Sequence, residues 1–315
     1  MKIVIVGPGA MGCLFAAALA RQRSKENEIW LLDKDAGRAA KLNKQGIDVE
    51  GIAGNWHVDV QATADLKDIP KVHLIVVCVK SYDTKNAVGR LKPLIDDDTS
   101  ILTLQNGMGN IELIGEAVGP DQVIGGVTSL GATWLDIGHV RYAGKGETII
   151  GKIDGKTSVQ MRAIRELFNK AGLDTRISQD IKGFLWSKLI VNTGINALTA
   201  VTRLRNGDLL DHEGSRRILR EAVTEAVKVA KRKRIKLLYD DPLAKVESVC
   251  ESTAGNVSSM LQDVLRKKRT EIDFINGVVV RFGQELGIAV PANAMLVSLV
   301  KVIESSYDKA VPAQH

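Results

Sequence analysis

The opening residues, Met1-Lys2-Ile3-Val4-Ile5-Val6-Gly7-Pro8-Gly9-Ala10-Met11-Gly12, decide the fold. Ile3–Val6 is an unbroken β-branched run without polar alternation, the pattern of a strand buried on both faces. It runs into Gly-x-Gly-x-x-Gly, and an apolar stretch of helical periodicity follows over Ala10–Arg21. In that context the first glycine permits a tight turn, the second lets backbone approach a pyrophosphate, and the third allows the helix to pack closely on the strand. Phosphates then sit at the positive helix N-terminus. The turn predicts dinucleotide binding through Gly7, Pro8, Gly9, Ala10, Met11 and Gly12, against the plainer alternative of a structural glycine turn.

Working outward, short apolar runs at Glu28–Asp33, Val72–Val79, Ser100–Gln105 and Gln122–Gly126 alternate with helical segments. Such alternation predicts βαβ units and a doubly wound parallel sheet of the Rossmann type. His139–Tyr142 and Glu147–Gly151 read as added strands, and Ser158–Ala171 as a helix. After Arg176-Ile177-Ser178 the strand signals stop. Asp180–Thr202, Glu213–Arg234, Ala244–Leu265 and Glu271–Gly287 each carry long helical periodicity. The expectation is therefore an α/β chain of two domains, a dinucleotide-binding domain over 1–179 and an all-helical domain over 180–315 that binds substrate and carries the catalytic group. A length of 315 residues suits two cores.

Composition narrows the class. Hydrophobic residues at 45% and charged residues at 25% exclude disorder and collagen-like repeats. The three cysteines, Cys13, Cys78 and Cys250, are scattered without metal-ligand spacing, so neither a disulfide framework nor a metal site is expected. A reducing compartment, the cytoplasm, fits. His73–Val79, the longest apolar run, is far below the roughly 20 residues of a membrane helix, and the first strand leaves no room for a signal peptide. The net charge of +6 suits anionic ligands. Lys231–Arg234 and Arg266–Arg269 read as solvated helix faces, the second also as an attractor of acidic ligands. Neither run has the interleaved aromatics of a single-strand binder, so no nucleic-acid partner is expected. Dimerisation through the helical half stays open, with no heptad seam to specify it.

Candidate site residues lie in both halves. Asp33, ending the second strand about 20 residues beyond the glycines, is placed to accept from an adenosine ribose hydroxyl, which favours NAD. Lys34 and Arg38 are near enough in sequence to offset its charge. Asn106, in Leu104-Gln105-Asn106-Gly107-Met108-Gly109, follows a strand at the sheet's carboxyl edge, where Asn-Gly is also an ordinary turn. Lys188, Asn192 and Asn196 at i, i+4 and i+8 share one helix face within an arc of about 80°. An ammonium and two amides on an apolar helix suit a substrate's carboxylate, carbonyl and hydroxyl, and equally a snorkelling lysine with two packing asparagines. Asn256, Ser258 and Ser259 form a second polar group. Thr270 reads as an N-cap with Asp273 in the capping-box position, which puts Glu271 in a first helical turn.

Together the stretches GPGAMG, VCVKSYD, LQNGMGN, LWSKLIVNTGINALTA, NVSSMLQDVLRKKRTEIDFINGVVV and GIAVPAN resemble the ketopantoate reductase family over nearly the whole chain. The resemblance implies hydride transfer from NADPH to the C2 ketone of ketopantoate, giving pantoate for pantothenate and coenzyme A biosynthesis. It places the general acid/base on Lys188 and substrate contacts on Asn192, Asn196, Asn206 and Ser259. It places Asn106 near nicotinamide and substrate, further cofactor contacts on Ala132 and Glu271, and an adenosine-phosphate contact on Lys80. Asp33 departs from the arginine of many members, so NADP is the family expectation and NAD the alternative. A reductase of another branched 2-keto acid, and a nicotinamide-sensing protein without turnover, are the competing readings.

Overall fold

The computed structural model describes residues 1–22 and 27–309, so residues 310–315 of the expected helical domain and 23–26 of the first lie outside the described residues. The chain divides into two compact units, Met1–Gln105 with Gly109–Ile181, and Asn106–Met108 with Lys182–His315.

The first unit runs β1 (Lys2–Val6), α1 (Ala10–Arg21), β2 (Glu28–Leu32), α2 (Ala36–Gln45), β3 (Ile47–Gly51), β4 (Trp56–Val58), β5 (Gln61–Thr63), β6 (Leu74–Val77), α3 (Thr84–Leu91), β7 (Ser100–Thr103), α4 (Asn110–Val118), β8 (Val123–Thr128), β9 (Gly131–Asp136), β10 (His139–Gly144), β11 (Thr148–Gly151), α5 (Val159–Lys170) and β12 (Thr175–Ile177). The main sheet has the order β12-β11-β8-β7-β6-β1-β2-β5. Every neighbouring pair in it is parallel except β8 with β11. From β1 the chain winds outward to β2 and β5, then returns to build β6, β7 and β8 on the other side. The order reverses between β1 and β6, the place where open α/β sheets bind ligands.

Of a second sheet, β4-β3-β10-β9, only β10 was legible in the sequence. Its β3 alternates buried and exposed residues over only five positions and carries Asp48 and Glu50, so it reads as a loop. The sheet explains a feature of α1, in which every residue from Gly12 to Leu19 is buried rather than a single stripe. The helix is sandwiched, with β1 and β2 on one side and β3, β4, β9 and β10 on the other. Phe15, wholly buried, meets Phe168 of α5 edge to face at 5.4 Å, and burying one such ring stabilises by about 1.5–3 kcal/mol. Of the two added strands expected from sequence, β10 belongs to this second sheet while β11 joins the main one.

The second unit comprises α6 (Ile181–Thr202), α7 (Glu213–Arg232), α8 (Pro242–Ser252), α9 (Ser259–Leu265), α10 (Asn276–Leu286) and α11 (Pro291–Ser305), with short 3₁₀ turns at Gly207–Leu210 and Ile272–Phe274. Its core gathers Trp186, Leu189, Leu219, Val223, Val246, Val278 and Leu296. The Trp186 ring stacks on Phe282 at 5.7 Å. Glu225 of α7 is buried and its carboxylate accepts from the backbone amides of Ala292 (2.9 Å) and Asn293 (3.0 Å) and from Asn293 Nδ2 (2.7 Å). An anion is thereby placed on the positive end of α11. Asn276, also buried, bridges Asn293 Oδ1 and the Thr193 carbonyl, tying α10 and α11 to α6.

Two helical expectations are corrected. Ala244–Leu265 splits into α8 and α9, because Ser258 caps a new helix by accepting from Leu261 N. Glu271–Gly287 opens instead with the 3₁₀ turn, and α10 starts only at Asn276. Thr270 accepts from Ile272 N in a tight turn, and Asp273 pairs with Lys301 at 2.6 Å rather than closing a capping box. Arg266–Arg269 lies past the end of α9, not on a helix face. Arg234 and Lys267 both adopt positive φ, ending their helices where glycine is usual. Lys233 does not stand free in solvent, since its Nζ lies 3.7 Å from the Phe282 ring centroid.

Candidate active site

The glycine turn sits at the carboxyl end of β1. Gly7 has φ +89°, and a Cβ there would lie 2.8 Å from Val79 N, so only glycine fits between β1 and the end of β6. At Gly12 a Cβ would lie 2.4 Å from the Gly7 carbonyl, which is the close helix–strand packing the motif demands. Gly9 differs, because a Cβ there would meet nothing within 4 Å. Its backbone is also ordinary, with φ −82° and ψ −162°. Among the described residues no atom requires glycine at this position, whereas a pyrophosphate approaching the backbone would. The residues present therefore fit a dinucleotide. Cys13 donates to the Pro8 carbonyl behind the turn at 3.3 Å, and burial pushes its thiol and that of Cys78 up to about 12. Both thiols stay protonated at neutral pH.

Asp33 is buried directly after β2. Its Oδ1 accepts from Asp35 N at 3.1 Å, and its Oδ2 lies 3.0 Å from Arg38 Nε, an ion pair lacking hydrogen-bond alignment. Arg38 also reaches the Pro8 carbonyl at 3.4 Å. Lys34 instead pairs with Asp83 at 3.0 Å. Lys80 follows β6 at the start of a 3₁₀ turn, Ser81–Asp83. Ala132 lies on β9 opposite Tyr142 of β10, a position that periodicity alone gave no reason to single out.

Gln105 is a contributor that sequence reasoning passed over. Its Nε2 donates to the Val79 carbonyl (2.8 Å) and to Thr84 Oγ1 (2.7 Å), and its Oε1 accepts from Thr103 Oγ1 (2.9 Å). This buried network fixes the turns that follow β6 and β7. The residues after it, Asn106–Met108, group with the helical unit. Met108 N donates to the Phe274 carbonyl at 2.9 Å, and Gly107, at φ +79°, lies so near that carbonyl that a Cβ would be 2.3 Å from it.

The helical unit consequently gathers Asn106, Lys188, Asn192, Asn196, Asn206, Ser259 and Glu271, while Gly7–Gly12, Asp33, Lys80 and Ala132 belong to the α/β unit. Lys188 and Asn192 are partly buried on α6, and Asn196 is buried. Loss of hydration lowers the Lys188 ammonium to about 8, opposed by the negative charge of Glu271. Glu271 itself is buried. The stripe continues to Thr199, within about 20° of Lys188 on the helical wheel. Thr199 Oγ1 lies 2.6 Å from Ser258 Oγ, fixing the cap that precedes Ser259. The signal for Thr199 was present in sequence as i+11 from Lys188. Asn206 is buried between α6 and the first 3₁₀ turn of the unit, and its Oδ1 has no hydrogen-bond partner among the described residues.

Fold and side chains together define a two-unit protein, a Rossmann-type α/β unit followed by a helical unit that carries a lysine–asparagine stripe and a buried glutamate. The model of the ketopantoate reductase PanE/ApbA family matches residues 3–155, and that of its C-terminal domain matches 180–304. The chain belongs to the ketopantoate reductase family. It is 37% identical over 306 residues to the 2-dehydropantoate 2-reductase of Pyrococcus horikoshii, covering 97% of this chain and 98% of that one. Among solved structures, a PanE/ApbA family ketopantoate reductase from Ralstonia eutropha superposes with a TM-score of 0.89 at 33% identity, covering 98% of this chain and 100% of the other. D-mandelate dehydrogenase, in a ternary structure with NADH and anilino(oxo)acetate, also reaches 0.89, at 27% identity and the same coverage.

Proposed function

We propose that this chain is a 2-dehydropantoate 2-reductase, converting ketopantoate to pantoate in pantothenate biosynthesis in the cytoplasm, with Lys188 as general acid/base. The observation that carries the reading is the Lys188–Asn192–Asn196 face of α6, partly withdrawn from water in a chain of this family. When bound, the reduced nicotinamide supplies a hydride to the C2 carbon. Lys188 does the rest of the acid chemistry. As the ketone becomes an alcohol, negative charge develops on its oxygen, and the Lys188 ammonium stabilises that charge and delivers a proton from Nζ. An acid of pKa about 8 remains mainly protonated at neutral pH yet releases its proton more readily than an exposed lysine. A positioned acid of this kind contributes about 10²–10⁴ in rate. Solvent then restores the proton to the neutral amine.

Asn192, Asn196, Asn206 and Ser259 would fix the substrate's polar groups without adding negative charge against its carboxylate. Gly7–Gly12 would cradle the pyrophosphate at the α1 N-terminus, with Lys80, Asn106, Ala132 and Glu271 as further cofactor contacts. We assign NADPH as the donor, with Arg38 beside Asp33 as a cation at the strand end. NADH is the competing donor, supported by the buried Asp33 carboxylate. The likeness to D-mandelate dehydrogenase supports a second reading, a reductase of another 2-keto acid that uses NADH.

A test follows consumption of NADPH and of NADH by the purified protein with ketopantoate and, separately, 2-ketoisovalerate. Turnover confined to ketopantoate supports the first reading. Faster turnover of 2-ketoisovalerate supports the second, and tight nucleotide binding without turnover of either acid would leave a sensor.

A further inference from the structure

Asn206 makes contacts that determine which way its amide faces. Its backbone N donates to the Asn256 carbonyl at 3.1 Å, and the next amide, Gly207 N, donates to the Ala254 carbonyl at 3.2 Å, so the turn is docked on the segment between α8 and α9. Asn206 Nδ2 donates to Thr253 Oγ1 at 2.9 Å. The Thr253 hydroxyl donates in turn to the Val249 carbonyl at 2.6 Å. A hydroxyl has one proton, and with that proton on Val249 it can offer Asn206 only a lone pair. Rotating the amide would set two acceptor oxygens, those of Asn206 and Val249, against the one Thr253 proton. The orientation present leaves Oδ1, in a residue only 8% exposed, with no donor among the described residues. A buried acceptor in that state calls for a donor from outside the chain.

A hydroxylated 2-keto acid carries a carboxylate and a ketone, both acceptors, and one donor, its hydroxyl. We propose that Thr253 sets the substrate selectivity of this site by holding the Asn206 amide so that Oδ1 accepts the hydroxyl of a hydroxylated 2-keto acid. This rests on the reductase reading above. Thr253 is a positioning residue that acts through Asn206. An acid lacking the hydroxyl leaves Oδ1 desolvated and unpaired, the situation in which sites built for a hydroxyl discriminate most strongly.

The experiment compares kcat/KM for ketopantoate and for its deoxy analogue, trimethylpyruvate, in the native protein, Thr253→Val and Thr253→Ser, with reduced nicotinamide as donor. The native protein is expected to favour ketopantoate by at least ~100-fold. Thr253→Val should lower that preference about tenfold, through KM for ketopantoate, while leaving the deoxy acid nearly unaffected. Thr253→Ser, which keeps the hydroxyl, should retain the native preference. A native ratio in a folded Thr253→Val protein would overturn the positioning role. Equal use of both acids by the native protein would overturn the hydroxyl subsite without any variant having to fold. Turnover of neither acid would instead overturn the reductase reading on which the inference stands.

Discussion

Oδ2 of Asp33 lies 3.0 Å from Nε of Arg38, and Arg38 in turn reaches the carbonyl of Pro8 in the glycine turn. The acid at the end of β2 is thus paired with a cation from the first turn of α2, and the pair abuts the candidate nucleotide cradle. Its carboxylate still disfavours a second anion at the same place. Asp33→Arg should improve kcat/KM for NADPH relative to NADH by about tenfold, a Coulombic change of about 1.4 kcal/mol. Steady-state kinetics with the two donors checks this, and an unchanged ratio would mean that Asp33 does not face the ribose.

Lys188 gives the pH dependence its sign. The group is protonated below its pKa and neutral above it, and only the protonated form can donate to the developing alkoxide. Ketone reduction should hold steady below pH about 8 and decline above it. Glu271 raises this pKa, so removing its charge lowers it. In Glu271→Gln the decline should begin at lower pH. A profile whose alkaline limb does not move between the two proteins would remove the carboxylate from the electrostatics of the lysine.

Gly9 separates binding from folding. Because a Cβ there meets no atom of the described residues and the backbone is ordinary, Gly9→Ala should melt at the native temperature. The added methyl would occupy the approach of a pyrophosphate, so affinity for NADPH should fall at least about tenfold. Fluorescence titration of the reduced nucleotide measures it, and native affinity would mean that the phosphates pass elsewhere.

Glu225→Ala should be severe for stability although it lies outside the candidate site. It removes the one carboxylate that serves Ala292 N, Asn293 N and Asn293 Nδ2. Leaving buried donors unpaired costs about 1–3 kcal/mol each, in part recovered by water, so a loss of about 3 kcal/mol is expected. Denaturant unfolding reads it directly, and a loss below about 1 kcal/mol would show that the α11 terminus is capped by other means.

The parallel sheet was readable because its strands are buried on both faces and therefore apolar without interruption, as in Ile3–Val6 and Leu74–Val77. Of the second sheet only β10 was, because β3 and β4 are short, half-exposed and charged, a pattern shared with loops. The Lys188–Asn192–Asn196 face follows from helical spacing alone, and so does Thr199 once the arc is extended by one more turn. Gln105 and Thr253 have no such signal. Each depends on a partner brought close by tertiary packing, which spacing along one element does not encode. The capping box expected at Thr270 failed for a related reason, since the buried Ile272 and the pairing of Asp273 with Lys301 drew that segment into a 3₁₀ turn.

The central claim is that Lys188 supplies the proton for ketopantoate reduction. Single-turnover consumption of reduced nicotinamide, followed in the native protein and in Lys188→Ala at saturating ketopantoate and equal nucleotide occupancy, tests it most directly. The account predicts rapid turnover by the native protein and a loss of at least about a hundredfold in the variant with nucleotide affinity retained. Near-native turnover by Lys188→Ala would contradict it.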